Sequence, residues 1–95
     1  MPLITLVIYD ITDDDLRLKV AKYLKQKGLK RIQKSAFAGP LTTSQRTNLI
    51  AGLKKLIKNH EKVNIQIYPL TQASYNQRIT LGTQLKYDEE DKLIT

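Results

Sequence analysis

Apolar positions along the chain follow first a strand-like and then a helical spacing. The run from Leu3 to Tyr9 is mostly apolar and rich in β-branched residues, which is typical of a central strand covered on both faces. The next apolar residues recur every three or four positions, as they do on the buried side of a helix. That predicted buried side consists of Leu16, Val20, Tyr23 and Leu24.

Polar residues at both ends of this helical segment predict where the helix begins and ends. Thr12 followed three residues later by Asp15 resembles a capping box. Asp13 and Asp14 place negative charge beside the positive end of the helix dipole. Gly28 suits the position just beyond the last turn, so the helix is expected to stop there.

The middle of the chain predicts a second strand and a turn. Residues 31–38 alternate with the period of two that a strand requires. Gly39-Pro40 then predicts a turn, followed by a short extended return at Leu41 to Thr43.

A second helix and a further strand complete the predicted core. The helix is expected to be capped near Thr43 or Ser44. Its core side is predicted to consist of Leu49, Ile50, Leu53, Leu56 and Ile57. Val63, Ile65 and Ile67 alternate with polar neighbours in the further strand, which is expected to close at Pro69.

This order of elements predicts an α+β domain of the ferredoxin-like βαββαβ type, with an antiparallel sheet and two helices on one face. Residues 72–77 predict one helical turn, and Arg78 to Leu81 predict an extra C-terminal strand. The domain is expected to span residues 1–82. Residues 83–95 form an acidic tail, whose run Asp88 to Asp91 either stays solvated or folds over a neighbour's basic surface.

Strand parity predicts what each face of the sheet carries. We expect Ile4, Leu6 and Ile8 to face the helices. The opposite face then mixes aromatic and polar residues, which favours self-association over a wetted open sheet. Its members are Thr5, Val7, Tyr9, Gln33, Ser35, Phe37, Asn64, Gln66 and Tyr68.

Charge is segregated along the chain, whose formal net charge is +7. No Asp or Glu occurs between Leu16 and His60, although twelve Lys and Arg residues fall there. Such segregation costs self-repulsion, so it favours a nucleic-acid partner over a merely solvated lysine-rich face. Diffuse, salt-sensitive affinity is expected from Lys22, Lys25, Lys54, Lys55 and Lys58.

Composition excludes several other kinds of protein. The chain has no cysteine and one histidine, so neither a disulfide nor a zinc site is expected. Its longest apolar run is far shorter than the roughly 20 residues of a membrane span, which predicts a soluble cytoplasmic protein with no membrane partner. At 95 residues the chain has one modest core, and dimerisation would add stability.

Asp10 is the residue of most chemical interest, because it follows an apolar strand directly and its carboxylate is therefore held rigidly at the end of the sheet. Mg²⁺ keeps several waters and takes one or two protein carboxylates, so two copies of Asp10 across a dimer axis would suffice. The alternative is that Asp10 only supports the start of the helix.

Basic and aromatic neighbours extend this candidate site. Arg17, Lys19 and Arg31 are placed to clamp a backbone phosphate near the metal. Tyr9 orients a phosphate or a water, or else packs in the core, and Phe37 carries the same two interpretations. Ser35 has no nearby base, so a covalent serine mechanism has little support.

Several of these residues occur in an order that resembles a known family. Tyr9-Asp10-Ile11, the helix pattern Arg17-Leu18-Lys19-Val20 and the strand from Arg31 to Gly39 are similar to the small CRISPR-associated endoribonuclease family. That family is the smaller of the two universal proteins of CRISPR spacer acquisition. The resemblance is strongest over residues 1–39 and continues in element order to about residue 82.

The resemblance implies a ferredoxin-like homodimer in which Asp10 of both subunits faces a shared cleft and holds Mg²⁺. It also implies that CRISPR integrase subunits are partners. The residues that match motif positions around the cleft, besides the Tyr9-Asp10 pair, are Arg17, Lys19, Arg31, Ser35 and Phe37.

Three functions therefore compete. The leading hypothesis is a CRISPR-associated, magnesium-dependent endonuclease that hydrolyses single-stranded RNA, double-stranded DNA or both in spacer acquisition and antiviral defence. The second is a non-catalytic dimeric bridge that binds DNA in the integrase complex. The third is a toxin-like nuclease that acts on messenger RNA.

Overall fold

The computed structural model describes residues 2–83, which form the predicted βαββαβ order followed by a short third helix. The elements are β1 (Leu3–Ile11), α1 (Asp14–Gln26), β2 (Lys30–Gln33), β3 (Ala36–Leu41), α2 (Thr43–Ile57), β4 (Val63–Leu70) and α3 (Gln72–Asn76). The four strands make one antiparallel sheet in the order β2-β3-β1-β4, which confirms the ferredoxin-like prediction. Beyond Thr83, the predicted acidic tail lies outside the described residues.

The helix ends follow the predicted capping chemistry with a shift of one residue. Asp13 caps α1, and its side chain accepts a hydrogen bond from the Leu16 backbone N–H at 3.1 Å. Gly28 follows the last turn of α1 with a φ of +91°, which confirms its predicted role as the stop. Thr42 caps α2 and forms a capping box with Gln45.

The predicted assignment of the two sheet faces is wrong for β1 and for Phe37. Val7, Tyr9 and Ile11 are buried and belong to the core that packs against the helices, whereas Ile8 is 41% exposed on the other face. Phe37 pairs with Val7 in register and is also buried. The error arose because β1 is apolar on both sides, so alternation within residues 3–9 does not distinguish them.

The opposite face, termed the open face, therefore carries a different set of β1 side chains. Val7 and Ile67 are partners on the helix side, so the intervening β4 residues project to the open face. The predictions for Asn64, Gln66 and Tyr68 on that face are consistent with this register. On β1 and β4, the open face consists of Ile4, Leu6, Ile8, Asp10, Asn64, Gln66 and Tyr68.

The hairpin between β2 and β3 turns at Lys34 and Ser35, and the predicted turn at Gly39-Pro40 is wrong. Gly39 lies inside β3, where an added Cβ would come within 3.0 Å of Leu29 Cδ2. Gly39 therefore packs closely against Gly28 and Leu29, which follow α1, and a side chain at this position would require them to shift. Pro40 lies beyond Ala38, the last β3 residue paired with β2, so its missing N–H costs no hydrogen bond there.

The segment after α3 does not form the predicted extra strand. Residues 78–81 have no strand pairing within residues 2–83, so that part of the prediction is wrong for the single chain. Ile79 and Leu81 are 83% and 88% exposed, because no other part of the described chain covers them. None of the helices within residues 2–83 has the length and apolarity to cross a membrane.

Candidate metal and nucleic-acid site

Asp10 lies on the open face, one residue before the end of β1, and its side chain is exposed. Its partner across the strand pair is Asn64 on β4. Asp10 and Asn64 share an opening of about 290 Å³ with Thr12, Lys62 and Val63. This end of the sheet therefore presents a carboxylate beside an amide, two groups with the hard oxygen donors that Mg²⁺ prefers.

A row of hydrogen bonds along β4 runs toward Asp10. The Tyr68 hydroxyl donates to Gln66 Oε1, and Gln66 Nε2 donates to Asn64 Oδ1 at 3.2 Å. All three side chains are exposed, and Tyr68 is 42% exposed although its ring is apolar. The row, termed the β4 ladder, restrains the amide that faces Asp10.

The single chain provides few ligands for a metal. Within the described range, residues 2–83, no three His, Cys, Asp or Glu side chains cluster closely enough to hold an ion. Mg²⁺ takes one or two protein carboxylates and retains water, so one Asp10 gives half of such a site. The donor set fits Mg²⁺ when a second carboxylate comes from another copy.

Arg17 and Arg31, two of the cationic residues predicted to contact phosphate, lie on the helix side of the sheet. A pocket of about 100 Å³, termed the α1 pocket, lies where α1 crosses the end of β1 and the β2–β3 turn. Its lining consists of Tyr9, Asp14, Arg17, Leu18, Ala21, Arg31 and Lys34. Successive strand residues project to opposite faces, so Tyr9 lines this pocket while Asp10 points away from it. The structure thus brings Tyr9, Arg17 and Arg31 together and leaves Asp10 on the other face.

Arg17 joins the end of β1 to the first turn of α1. Its Nη1 donates to the Ile11 carbonyl oxygen at 3.1 Å, and its Nη2 forms a salt bridge with Asp14 Oδ1. The Arg17 side chain is 36% exposed and that of Asp14 is 84% exposed. The guanidinium group therefore lies at the α1 pocket with one contact to the backbone and one to an exposed carboxylate.

Arg31 is positioned by an aromatic stack. Its guanidinium carbon lies 5.0 Å from the centre of the Phe37 ring, and Phe37 stacks on Tyr9 with ring centres 6.3 Å apart. Because Phe37 is fully buried, it supports Arg31 and Tyr9 from below rather than contacting a substrate.

The β2–β3 turn contributes through its backbone. The Tyr9 hydroxyl donates to the Lys34 carbonyl oxygen at 3.5 Å, and the Tyr9 N–H donates to the Ser35 carbonyl oxygen at 2.9 Å. Ser35 is half-buried in this turn. Lys34, which the sequence pattern does not single out, lines the α1 pocket because it lies in the turn with Ser35. Correct placement of that turn would have identified Lys34.

The remaining predicted cations lie on the outer surface of the helices. Lys19 is exposed on α1 and does not line the α1 pocket. The lysines predicted to give diffuse affinity are all exposed, on α1 at Lys22 and Lys25 and on or just after α2 at Lys54, Lys55 and Lys58. They form a broad cationic surface rather than a defined site.

Two known proteins join this fold to a second protein. A fused protein of Thermoproteus tenax, "CRISPR-associated endonuclease Cas1/endonuclease Cas2 fusion", is 42% identical over 53 residues, which cover 56% of this chain and 20% of that protein. A chain of a partial Cas6-RT-Cas1–Cas2 complex superposes with a TM-score of 0.71 at 26% identity, covering 83% of this chain and 84% of its own length.

Individual relatives carry the same family name. Cas2 of Streptococcus pyogenes has a TM-score of 0.71 and 27% identity over 84% of this chain and 100% of its own. A CRISPR-associated endoribonuclease Cas2 of Chloroflexus aurantiacus is 37% identical over 84 residues, covering 88% of this chain and 95% of that protein. One of Korarchaeum cryptofilum is 66% identical over 44 residues, which span 46% of this chain and 47% of that protein. Since the family model described as CRISPR associated protein Cas2 also matches residues 1–78, the chain belongs to the Cas2 family.

Proposed function

We propose that this chain is a CRISPR-associated, metal-dependent endonuclease of spacer acquisition and antiviral defence, with Asp10 as the carboxylate that binds Mg²⁺. The observation that carries the proposal is the exposed Asp10 at the end of β1, with the cationic α1 pocket on the other side of the same strand. Relatives named CRISPR-associated endoribonuclease match most of the chain, which supports phosphodiester hydrolysis as the reaction.

A second copy of the chain completes the metal site in this proposal. Ile8 and Tyr68 are exposed apolar side chains on the same face as Asp10, so a partner that covers them also approaches that carboxylate. Ile79 and Leu81 add further exposed apolar area, and burying it gains free energy only when another chain covers it. A symmetric homodimer through the open face brings the two Asp10 residues together.

In this proposal, different residues of the chain bind the metal and the phosphates of the substrate. Asp10 of each copy would hold Mg²⁺, which would supply positive charge to a phosphodiester and lower the pKa of a water. Arg17 and Arg31, on the other side of the same strand, hold backbone phosphates of the substrate through charge-assisted hydrogen bonds. Phe37 keeps Arg31 in one orientation, so less entropy is lost on binding.

The catalytic proposal is tested by Asp10→Asn, with magnesium-dependent cleavage of single-stranded RNA and of duplex DNA measured in a nuclease-free preparation. Glu61→Gln is the matched control, because Glu61 is an exposed carboxylate just before β4 at the same end of the sheet. We expect Asp10→Asn to abolish cleavage and Glu61→Gln to retain it. Unchanged rates on both substrates for Asp10→Asn would end the catalytic proposal.

The dimer is tested separately by sedimentation equilibrium. The natural chain should have twice the protomer mass, and Ile8→Lys should shift the equilibrium toward the monomer, because a buried unpaired charge at the interface is costly. A natural chain that stays monomeric at every concentration would remove the shared metal site.

A second candidate function is a non-catalytic bridge that supports DNA in a complex with Cas1. The fused relative and the Cas1–Cas2 complex favour it, as does the cationic outer surface of α1 and α2. In this case Asp10→Asn leaves duplex DNA binding intact, whereas charge reversal of Lys54, Lys55 and Lys58 weakens it. Duplex binding that does not change with salt would contradict the role of these lysines.

A further inference from the structure

The α1 pocket contains an internal anion among its cations. Arg17, Arg31 and Lys34 supply three positive charges to its lining, and Asp14 supplies the negative charge. The volume of about 100 Å³ exceeds the roughly 30 Å³ that one water occupies in the liquid, so the pocket accommodates a group larger than one water. Three convergent cations favour an anionic occupant.

Asp14 occupies the position that such an anion would take on Arg17. An arginine fork binds carboxylate and phosphate in the same way, through its terminal nitrogens. In Arg17 one terminal nitrogen is bound to the Ile11 carbonyl and the other to Asp14. The Asp14 carboxylate is thus an internal substitute for a phosphate oxygen.

The two contacts of Arg17 differ in how easily they are released. Ile11 belongs to the central strand and is 3% exposed, so the backbone contact is fixed. Asp14 is on the surface, and exposed ion pairs have little net strength. A phosphate therefore displaces Asp14 without moving the guanidinium group from the pocket.

We propose that the α1 pocket is a subsite for one backbone phosphate of a bound nucleic acid, and that Asp14 is a competing internal ligand that weakens binding there. The proposal rests on the nucleic-acid binding proposed above and adds a location and a control element to it. Because the pocket lies on the face opposite Asp10, the phosphate it holds is one that flanks the reacting phosphate.

Asp15 provides a matched control for Asp14. Both are exposed carboxylates in the first turn of α1, so each substitution removes one charge beside the same helix end. Within residues 2–83, Asp14 forms an ion pair with Arg17 and Asp15 forms none. Any difference between Asp14→Asn and Asp15→Asn therefore reports the contact with Arg17 rather than net charge.

The experiment measures the Kd of a fluorescein-labelled single-stranded RNA and of a labelled duplex DNA by anisotropy, with EDTA present to prevent cleavage. We expect Asp14→Asn to bind about twofold to fivefold more tightly than Asp15→Asn, as the small net strength of an exposed ion pair allows. Equal affinities of the two variants would overturn the proposal. Weaker binding by Asp14→Asn would also overturn it, because Asp14 would then be aiding Arg17.

A second pair of variants tests the route through Arg17. In an Arg17→Gln background the advantage of Asp14→Asn over Asp15→Asn should disappear, and an advantage that persists would contradict the competition. Lys34→Gln should weaken binding in the natural chain.

Melting curves of every variant report whether the fold is intact. If the natural chain binds neither probe, the proposed nucleic-acid function fails with the subsite, whereas equal Asp14→Asn and Asp15→Asn affinities in a binding-competent chain remove the subsite alone.

Discussion

The Tyr23 hydroxyl fills the space that a side chain at Gly52 would need. A Cβ added at Gly52 would lie 1.8 Å from the hydroxyl oxygen and 2.4 Å from the ring carbon that carries it. The hydroxyl lies 3.3 Å from the carbonyl oxygens of both Asn48 and Leu49 on α2. At this contact, the packing of α1 against α2 therefore depends on the absence of a side chain at Gly52 and on the Tyr23 ring.

Gly52→Ala should destabilise the protein although alanine favours helices. An exposed glycine in a helix costs roughly 0.5–1 kcal/mol relative to alanine, so the substitution would be stabilising on propensity alone. The clash requires the Tyr23 ring or the helices to shift, and overpacking of this kind typically costs about 1–3 kcal/mol. Urea unfolding followed by circular dichroism measures whether Gly52→Ala lowers or raises the free energy of unfolding.

The same substitution in a Tyr23→Leu background isolates the clash. The shorter side chain removes the hydroxyl and the ring, so the penalty of Gly52→Ala should shrink or reverse there. An equal penalty in both backgrounds would mean that Tyr23 is not its cause.

Tyr23 should also make stability depend on alkaline pH. Burial raises the pKa of Tyr23 above its ordinary value of 10.0. The folded state then holds the phenolic proton more tightly than the unfolded state, so the associated stability is complete below pH 10.0 and is lost as the pH rises toward the folded pKa. Melting temperatures of the natural chain and of Tyr23→Phe, compared across that range, should converge or cross as the pH rises. A difference between the two melting temperatures that stays constant across this pH range would contradict a raised pKa of Tyr23.

Sequence pattern predicts the two long helices and the first strand correctly but assigns the faces of the sheet wrongly, for one physical reason. Helix positions such as Leu16 and Val20 have polar neighbours, so their periodicity indicates the buried side without ambiguity. In β1 both parities are apolar, and Ile8 and Val7 are equally suitable for a core. Which face of β1 is buried depends on its packing against the helices, and alternation within one strand does not reveal that packing.

The residues of the candidate site can likewise be predicted from the sequence, but their arrangement across the sheet cannot. Asp10 was identifiable because a carboxylate that ends an apolar run is conspicuous in the sequence. Arg17 and Arg31 were selected as well, but their placement across the sheet from Asp10 follows from the parity of β1. Gly39-Pro40 was interpreted as a turn because the contact of Gly39 with Leu29 is a tertiary one, invisible to local pattern.

Phe37 should affect substrate binding mainly by positioning Arg31, and not by contacting the substrate itself. The ring is fully buried under the guanidinium group, so Phe37→Ala is expected to cost roughly 3–5 kcal/mol of stability by leaving a cavity. Phe37→Leu preserves much of the volume and should keep the fold while loosening Arg31. We expect its RNA affinity, measured by anisotropy, to fall severalfold.

Arg31→Gln distinguishes support of Arg31 from direct contact with the substrate. If Phe37 acts by positioning Arg31, Phe37→Leu should add little to the loss already caused by Arg31→Gln. Fully additive losses in the double variant would show that Phe37 acts on binding by another route.

The β4 ladder should tune the metal site without contributing to stability. Tyr68→Phe removes the hydroxyl that donates to Gln66, which frees the amide pair beside Asp10. Because Tyr68 is exposed, the free energy of unfolding should change by no more than about 0.5 kcal/mol. Magnesium-dependent cleavage should nevertheless fall severalfold, with a higher Mg²⁺ concentration needed for half-maximal rate.

Tyr75→Phe on α3 is the control, because the Tyr75 hydroxyl donates no hydrogen bond in the part of the chain that the structure describes. Equal effects of the two tyrosine substitutions on the magnesium requirement would exclude a role for the ladder in orienting Asn64.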